Sequence, residues 1–376
     1  MRNGIAVGLC MVALGACQVA TLPQVVDGRE ERAEAERAQL FDRGALAVMT
    51  RSLSGGRHLE RVLEARWEEE PARAAELLES LRPEDLQARA SQLAEEIQQA
   101  RPHLVGLQQV MQARLRLTGE ALFGGARPAE TVSVDMLPVL LGELAVRGLH
   151  YREVARVSNA DVEMPLRTSV ARAPGNVRLT DFDVILARAD VEVKEARAGN
   201  YVARREVPRP GQEPVALPRG WASVAAKVEG RTYRFVSTHL EPAPDEHGLR
   251  VQVAQAGELI RTLRGEPLPV VLVGDFNTPA NLGLLGAPTY RELLLAGYVD
   301  VWTHRLGSTL PVGAGMGSEL PVLAERLKLV LVRKPVAPGV RRVGPVLAYG
   351  VGGALEDRTG PWKPDLEAGV VARLRI

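Results

Sequence analysis

Pro269-Val270-Val271-Leu272-Val273-Gly274-Asp275-Phe276-Asn277-Thr278-Pro279 is the stretch that decides how the rest of the chain is read. Four branched apolar residues follow a proline and are followed by glycine, aspartate and asparagine. A short unbroken apolar run between breakers fits a strand buried on both faces. Side chains alternate along a strand, so Asp275 and Asn277, two apart, leave it on the same side. One carboxylate and one amide oxygen on a rigid element suit a hard cation or a phosphate-bound water. Upstream, Arg234-Phe235-Val236-Ser237-Thr238-His239-Leu240-Glu241 has the same design. His239 at that strand's exit is placed to donate to a phosphate oxygen. Taken singly, a Gly-Asp after a strand is an ordinary turn and a strand-end histidine an ordinary surface group. The two strand ends, joined by a helical pattern over Val251–Leu263, raise the case for a site.

Working outward, Ala45–Met49 predicts a first strand and Leu104–Leu107 a short one. The pattern between about His58 and Arg116 is otherwise helical, cut by Pro71 and Pro83. Asp135–Arg147 predicts an amphipathic helix. Strands are expected at Tyr151–Val157, Val184–Arg188, Ala222–Val228, Tyr233–Thr238, Arg326–Val332 and Val370–Ile376. Asp245 and Glu246 sit just ahead of the 251–263 helix, where acidic groups suit a helix N-terminus. Hairpin neighbours mixed with helical crossovers predict an α/β fold with mixed sheets.

The chain has 376 residues, 46% hydrophobic and 25% charged, with 47 Lys and Arg against 46 Asp and Glu, a net charge of +1. That composition excludes wholesale disorder, and the charge excludes a chain-wide basic field for duplex nucleic acid. Both cysteines, Cys10 and Cys17, lie in the first 17 residues. The body of the chain therefore has no disulfide framework, zinc–cysteine site or thiol nucleophile. Ile5–Ala16 is apolar but shorter than the roughly 20 residues of a membrane-spanning helix. It fits the apolar region of a signal peptide. Leu14-Gly15-Ala16-Cys17 resembles the bacterial lipoprotein signal box, which implies lipidation of Cys17 and a membrane tether; the alternative is a plain signal peptide with an incidental cysteine. Gln18 after Cys17 points toward the outer membrane, on the periplasmic side of a bacterial envelope.

The anchors Val48–Ser52, Arg101–Val110, Asp183–Arg188, Ser237–Leu240, Gly274–Asn277, Glu325–Lys328 and Ala368–Ala372 together resemble the endonuclease/exonuclease/phosphatase superfamily. The resemblance covers residues 45–376. It implies a DNase-like four-layer α/β/β/α sandwich with two mixed β-sheets, with residues 1–16 as signal peptide, 17–44 as tether and N-terminal helix, and a helical insertion at about 58–100. It implies phosphoester hydrolysis with Mg²⁺ or Mn²⁺, in which the metal neutralises charge on the phosphate.

Against that pattern, His239, Asp275 and Asn277 are kept and other positions depart. Ser52 stands where the family's first strand ends in Asn. Gln109 stands where a metal-binding Glu is expected, and Lys328 where an Asp is expected. Asp365-Leu366-Glu367 replaces a closing Ser-Asp-His, and His304 is the last histidine. Glu to Gln removes a charge and Asp to Lys reverses one, so a metal at Asp275, Asn277 and Gln109 is expected to be weakly held or lost. Lys328 either binds a phosphate directly or pairs with Asp275, the second reading being favoured. The expected function is a membrane-tethered, catalytically impaired member that binds a phosphorylated small molecule or an envelope protein, with nucleic acid disfavoured and with no cofactor or a residual one. The alternative is an active divalent-metal-dependent phosphodiesterase or phosphatase with a rearranged site, using Glu241, Asp365 and Glu367.

Overall fold

Alternation along the strands explains the layers. In β1 (Leu46–Ser52), Val48 packs to one side and Met49 to the other, and all seven residues are buried. A strand covered on both faces reads as a continuous apolar run, which is why these strands stand out in the sequence. The computed structural model describes residues 45–53, 59, 62–63, 69–79, 81–116, 129–166, 175–208, 213–280, 283–302, 310–311, 323–333, 341–342, 347–349 and 369–376. Cys17, the signal peptide, the tether and Asp365–Glu367 lie outside these residues.

The first sheet is built from β1, β2 (Leu104–Arg116), β3 (Thr131–Asp135), β4 (Tyr151–Leu166), β5 (Gly175–Arg188), β16 (Arg341–Arg342), β17 (Leu347–Tyr349) and β18 (Gly369–Arg375). Its main order is β16-β18-β1-β2-β5-β4, with β17 on β18 and β3 on β2. The second contains β6 (Glu192–Asn200), β9 (Gly220–Val228), β10 (Arg231–His239), β11 (Val270–Asp275), β12 (Val299–Asp300) and β15 (Lys328–Arg333), in the order β12-β15-β11-β10-β9-β6. Two short hairpins, β7 (Arg205–Val207) with β8 (Val215–Leu217) and β13 (Leu310–Pro311) with β14 (Leu323–Glu325), stand apart. In each large sheet one central pair is parallel, β1 with β2 and β10 with β11, and the other pairs are antiparallel. The mixed sheets of the expectation are therefore present.

Three apolar clusters make the four layers. Val48, Leu104, Ile185, Val224, Phe235, Val271, Val273 and Val330 fill the space between the sheets. The outer face of the first sheet, through Val105 and Leu107, packs on α1 (Glu70–Glu79), α2 (Pro83–Ala100) and α3 (Met136–Val146). The outer face of the second, through Val236 and Leu272, packs on α4 (Glu246–Leu263) and α5 (Pro288–Leu295). Helix α2 buries Leu86, Ala90, Leu93, Ala94, Ile97 and Ala100, one stripe at three- and four-residue spacing. It is thus part of an outer layer of the sandwich, and within the stretch 58–100, expected to be a helical insertion, the described helices α1 and α2 pack on the first sheet. A fully buried leucine or valine in such a layer contributes about 1.5–3 kcal/mol.

Two local readings change. The helical pattern expected up to Arg116 gives way after Ala100, because β2 runs unbroken to Arg116. Its second half pairs with β5: Val110, Met111 and Ala113 are buried there and Gln112 is half-buried. Helix α4 starts earlier than Val251, at Glu246, because the Asp245 carboxylate accepts the Gly248 N–H at 2.7 Å and caps it. Among the described residues no helix is long and apolar enough to cross a membrane.

Candidate functional site

The strand ends that carried the sequence argument meet at one end of the two sheets. Along the second sheet, His239 stands opposite Asp275, and Asp275 opposite Lys328. Asp275 is buried, and both of its carboxylate oxygens are engaged. The Asn277 N–H donates to Oδ1 at 3.0 Å, and the Lys328 ammonium donates to Oδ2 at 3.1 Å. Asn277 has a left-handed backbone (φ 49°), and its side-chain amide donates to the Leu240 carbonyl at 2.8 Å. It therefore ties the two strand exits together.

The first sheet contributes Ser52 and Gln109. The register of β2 against β5 breaks between Leu107 and Val110, and Gln109 takes a positive φ of 59° there. A bulge of this kind re-aims a side chain. The Ser52 hydroxyl donates to Gln109 Oε1 at 2.9 Å, while the Gln109 N–H donates to Asp183 Oδ1 at 3.2 Å. The neighbouring Gln108 points into the core, accepting from Thr50 and donating to Ser237, and so cross-links the sheets.

Asp183 bridges the two sets. Its Oδ1 lies 3.9 Å from Nδ1 of His239. Complete burial pushes its carboxyl up to about 7; the Asn159 amide, the Gln109 N–H and Arg219 pull it back, and the charge of Asp275 adds to the rise. Ser52, Gln109, His239, Asp275 and Lys328 thus form a contiguous row through Asp183, with Asn277 beside it, and all but Asn277 are buried.

Sequence reasoning passed over Arg219, Asp181 and Asn159, and it took Asp183 only as the start of an anchor, with no place in the site. Arg219 precedes β9 and is 4% exposed. Its Nε donates to Glu241 at 3.1 Å, and its guanidinium also faces His239 Nδ1 at 3.3 Å and Asp181 at 3.9 Å. Nothing in Pro218-Arg219-Gly220 signals this, since the contacts come from strand exits far apart in the chain. Asn159 sits where the register of β4 against β5 shifts, a feature with no local signature. Glu241, considered from sequence as a replacement carboxylate, is held in this cluster: its N–H donates to Gln255, and its carbonyl accepts from Gln252. An open groove of ≈ 860 Å³ lies elsewhere, lined in part by Lys194, Lys227, Arg234 and Glu266, and shares no residue with this row.

Comparison with known proteins agrees with the geometry. The model of the Endonuclease/Exonuclease/phosphatase family matches residues 77–349. The fold is similar to that of an endonuclease/exonuclease/phosphatase from Beutenbergia cavernae DSM 12333, at 18% identity and a TM-score of 0.52, over 89% of this chain and 72% of that one. A humanized D. rerio TDP2 (15% identity, TM-score 0.47, 89% and 100% of the two chains) and the mannosyl-6-phosphatase Bt3783 of Bacteroides thetaiotaomicron (15%, 0.45, 88% and 100%) are also similar. No curated protein matches the chain. With most of its length matched by the family model and two mixed sheets between helical layers, the chain belongs to the Endonuclease/Exonuclease/phosphatase family.

Proposed function

We propose that this chain is a family member whose dication site is degenerate and which acts by binding, held at the bacterial envelope by a lipid on Cys17. The observation that carries the reading is the Lys328 ammonium 3.1 Å from Asp275 Oδ2. Members of the family are generally divalent-metal dependent. Magnesium asks for oxygen ligands at about 2.1 Å in near-octahedral geometry. Here Gln109 Oε1 already accepts from Ser52, and both Asp275 oxygens accept from other groups. Arg219 stands against Glu241 and Asp181, and among the described residues no three His, Cys, Asp or Glu side chains are grouped to hold a metal. A dication would face an ammonium and a guanidinium, so these residues do not fit one.

The ligand of this reading is a phosphorylated small molecule or another envelope protein; the near-neutral charge argues against duplex DNA. The second reading, an active Mg²⁺- or Mn²⁺-dependent phosphodiesterase or phosphatase with a rearranged site, draws on Asp181, Asp183 and Glu241, three carboxylates close to His239 or its partner Arg219. Titration calorimetry of the purified chain with Mg²⁺ and Mn²⁺ tests the choice. No heat of site-specific binding is expected, and millimolar-or-tighter binding overturns the first reading. A panel of phosphomonoesters, phosphodiesters, DNA and phospholipid completes it. Turnover that Asp275→Ala abolishes establishes the enzyme.

A further inference from the structure

Arg219 meets His239 in a way that fixes which ring nitrogen carries hydrogen. A guanidinium offers five N–H donors and no acceptor. Its Nη1 lies 3.3 Å from His239 Nδ1, while its Nε is spent on Glu241 at 3.1 Å. The groups are buried, with Arg219 at 4%, His239 at 1% and Glu241 at 0% exposure, so the contact is not shared with bulk water. A donor facing Nδ1 requires a lone pair there. The competing partner for the same nitrogen is the Asp183 carboxyl, which would instead draw a hydrogen onto Nδ1. Its Oδ1 stands at 3.9 Å, outside hydrogen-bond range. Among the described residues, other charged groups near the ring include Asp181, behind the same guanidinium, and Asp275, opposite His239 across the β10–β11 pair.

We propose that Arg219 is a positioning residue that holds His239 as the tautomer with a lone pair on Nδ1 and its hydrogen on Nε2. The tautomer of a histidine is set by the bond made at its other nitrogen. Held this way, the imidazole carries its hydrogen at Nε2 and has no lone pair there with which to take a proton from water. The assignment goes beyond the reading of the site as degenerate, because it stands whether or not the protein turns a substrate over.

Long-range ¹H–¹⁵N correlation spectra of the full chain labelled with ¹⁵N-histidine read the tautomer directly. The chain has six histidines, and the His239 pattern is the one lost in His239→Gln. The expected result is an unprotonated, lone-pair-type shift at Nδ1 and a protonated one at Nε2. A hydrogen on Nδ1, alone or with a second on Nε2, overturns the proposal. In Arg219→Met, the tautomer should reverse, with Nδ1–H turned toward Asp183; a folded variant with the wild-type pattern shows that Arg219 is not the cause and also overturns it. Should Arg219→Met fail to fold, the wild-type spectrum alone decides. These outcomes are independent of metal binding, so the assignment and the degenerate-site reading fail separately.

Discussion

Lys328 and Asp275 stand directly opposite one another on adjacent antiparallel strands, with Nζ 3.1 Å from Oδ2 and side-chain exposures of 1% and 3%. Each charge helps to compensate the other. The desolvation of two such ions is large, and their attraction offsets it only while both are present.

Lys328→Met therefore leaves a carboxylate buried without its ammonium and is expected to cost about 3–5 kcal/mol. Asp275→Leu removes the carboxylate that faces the ammonium and is expected to cost about the same. The double variant replaces the pair with apolar groups and should cost clearly less than the two singles added together. Urea unfolding of the four proteins measures the coupling; strictly additive losses would mean that the pair contributes nothing.

Gly274 makes the approach of β11 to β10 possible. Its φ is +153°, and a Cβ placed there would lie 1.9 Å from the Thr238 carbonyl oxygen. The clash is with backbone in a central parallel pair, which cannot move aside cheaply. Gly274→Ala is expected to cost about 4 kcal/mol or more, in the range reserved for built-in strain. Gly142, exposed within α3, is the control: nothing lies within 4 Å of its Cβ position. There, Gly142→Ala should gain about 0.5–1 kcal/mol through helix propensity. Thermal melts of the two variants should move in opposite directions.

The central strands were legible because burial on both faces leaves an apolar run. Val270–Val273 is the clearest case, with Val271 and Val273 facing the inter-sheet core and Val270 and Leu272 facing the helices. The edge strand β6, Glu-Val-Lys-Glu-Ala-Arg-Ala-Gly-Asn, has no such signature, since most of it is exposed and its charges protect an open edge. At the site, motif residues next to strand ends could be found: His239, Asp275 and Lys328 align because their strands pair in register. Arg219, Asp181 and Asn159 could not. Each joins the site through a loop or a register shift between elements, and pairing of that kind leaves no mark in local periodicity.

Asp161 gives a pH dependence of ordinary sign. Arg178, with Thr180 in support, holds its carboxyl below the usual range. A depressed folded-state pKa stabilises above the unfolded value, and the contribution is lost as pH falls through the folded one. The pair is about one-third exposed, with side-chain exposures of 33% and 31%, so screening keeps it small. Asp161→Asn should cost no more than about 1 kcal/mol at neutral pH and nothing in acid, and added salt should shrink the loss.

Asp183 should run the other way. Burial raises its folded-state pKa to about 7 from an ordinary 3.8. Between those values the native state binds more protons than the unfolded chain, so this group's contribution falls as pH rises through the window. Asp183→Asn keeps an acceptor for the Gln109 N–H and removes the charge that burial opposes. The variant is expected to match wild type below about pH 4 and to gain stability progressively toward pH 8. Chemical denaturation across that range measures the difference. A difference that is flat with pH would mean that burial does not raise the Asp183 pKa, and a loss that grows with pH would mean that the carboxylate is stabilised as an anion by Arg219; either outcome contradicts the charge balance described for the row.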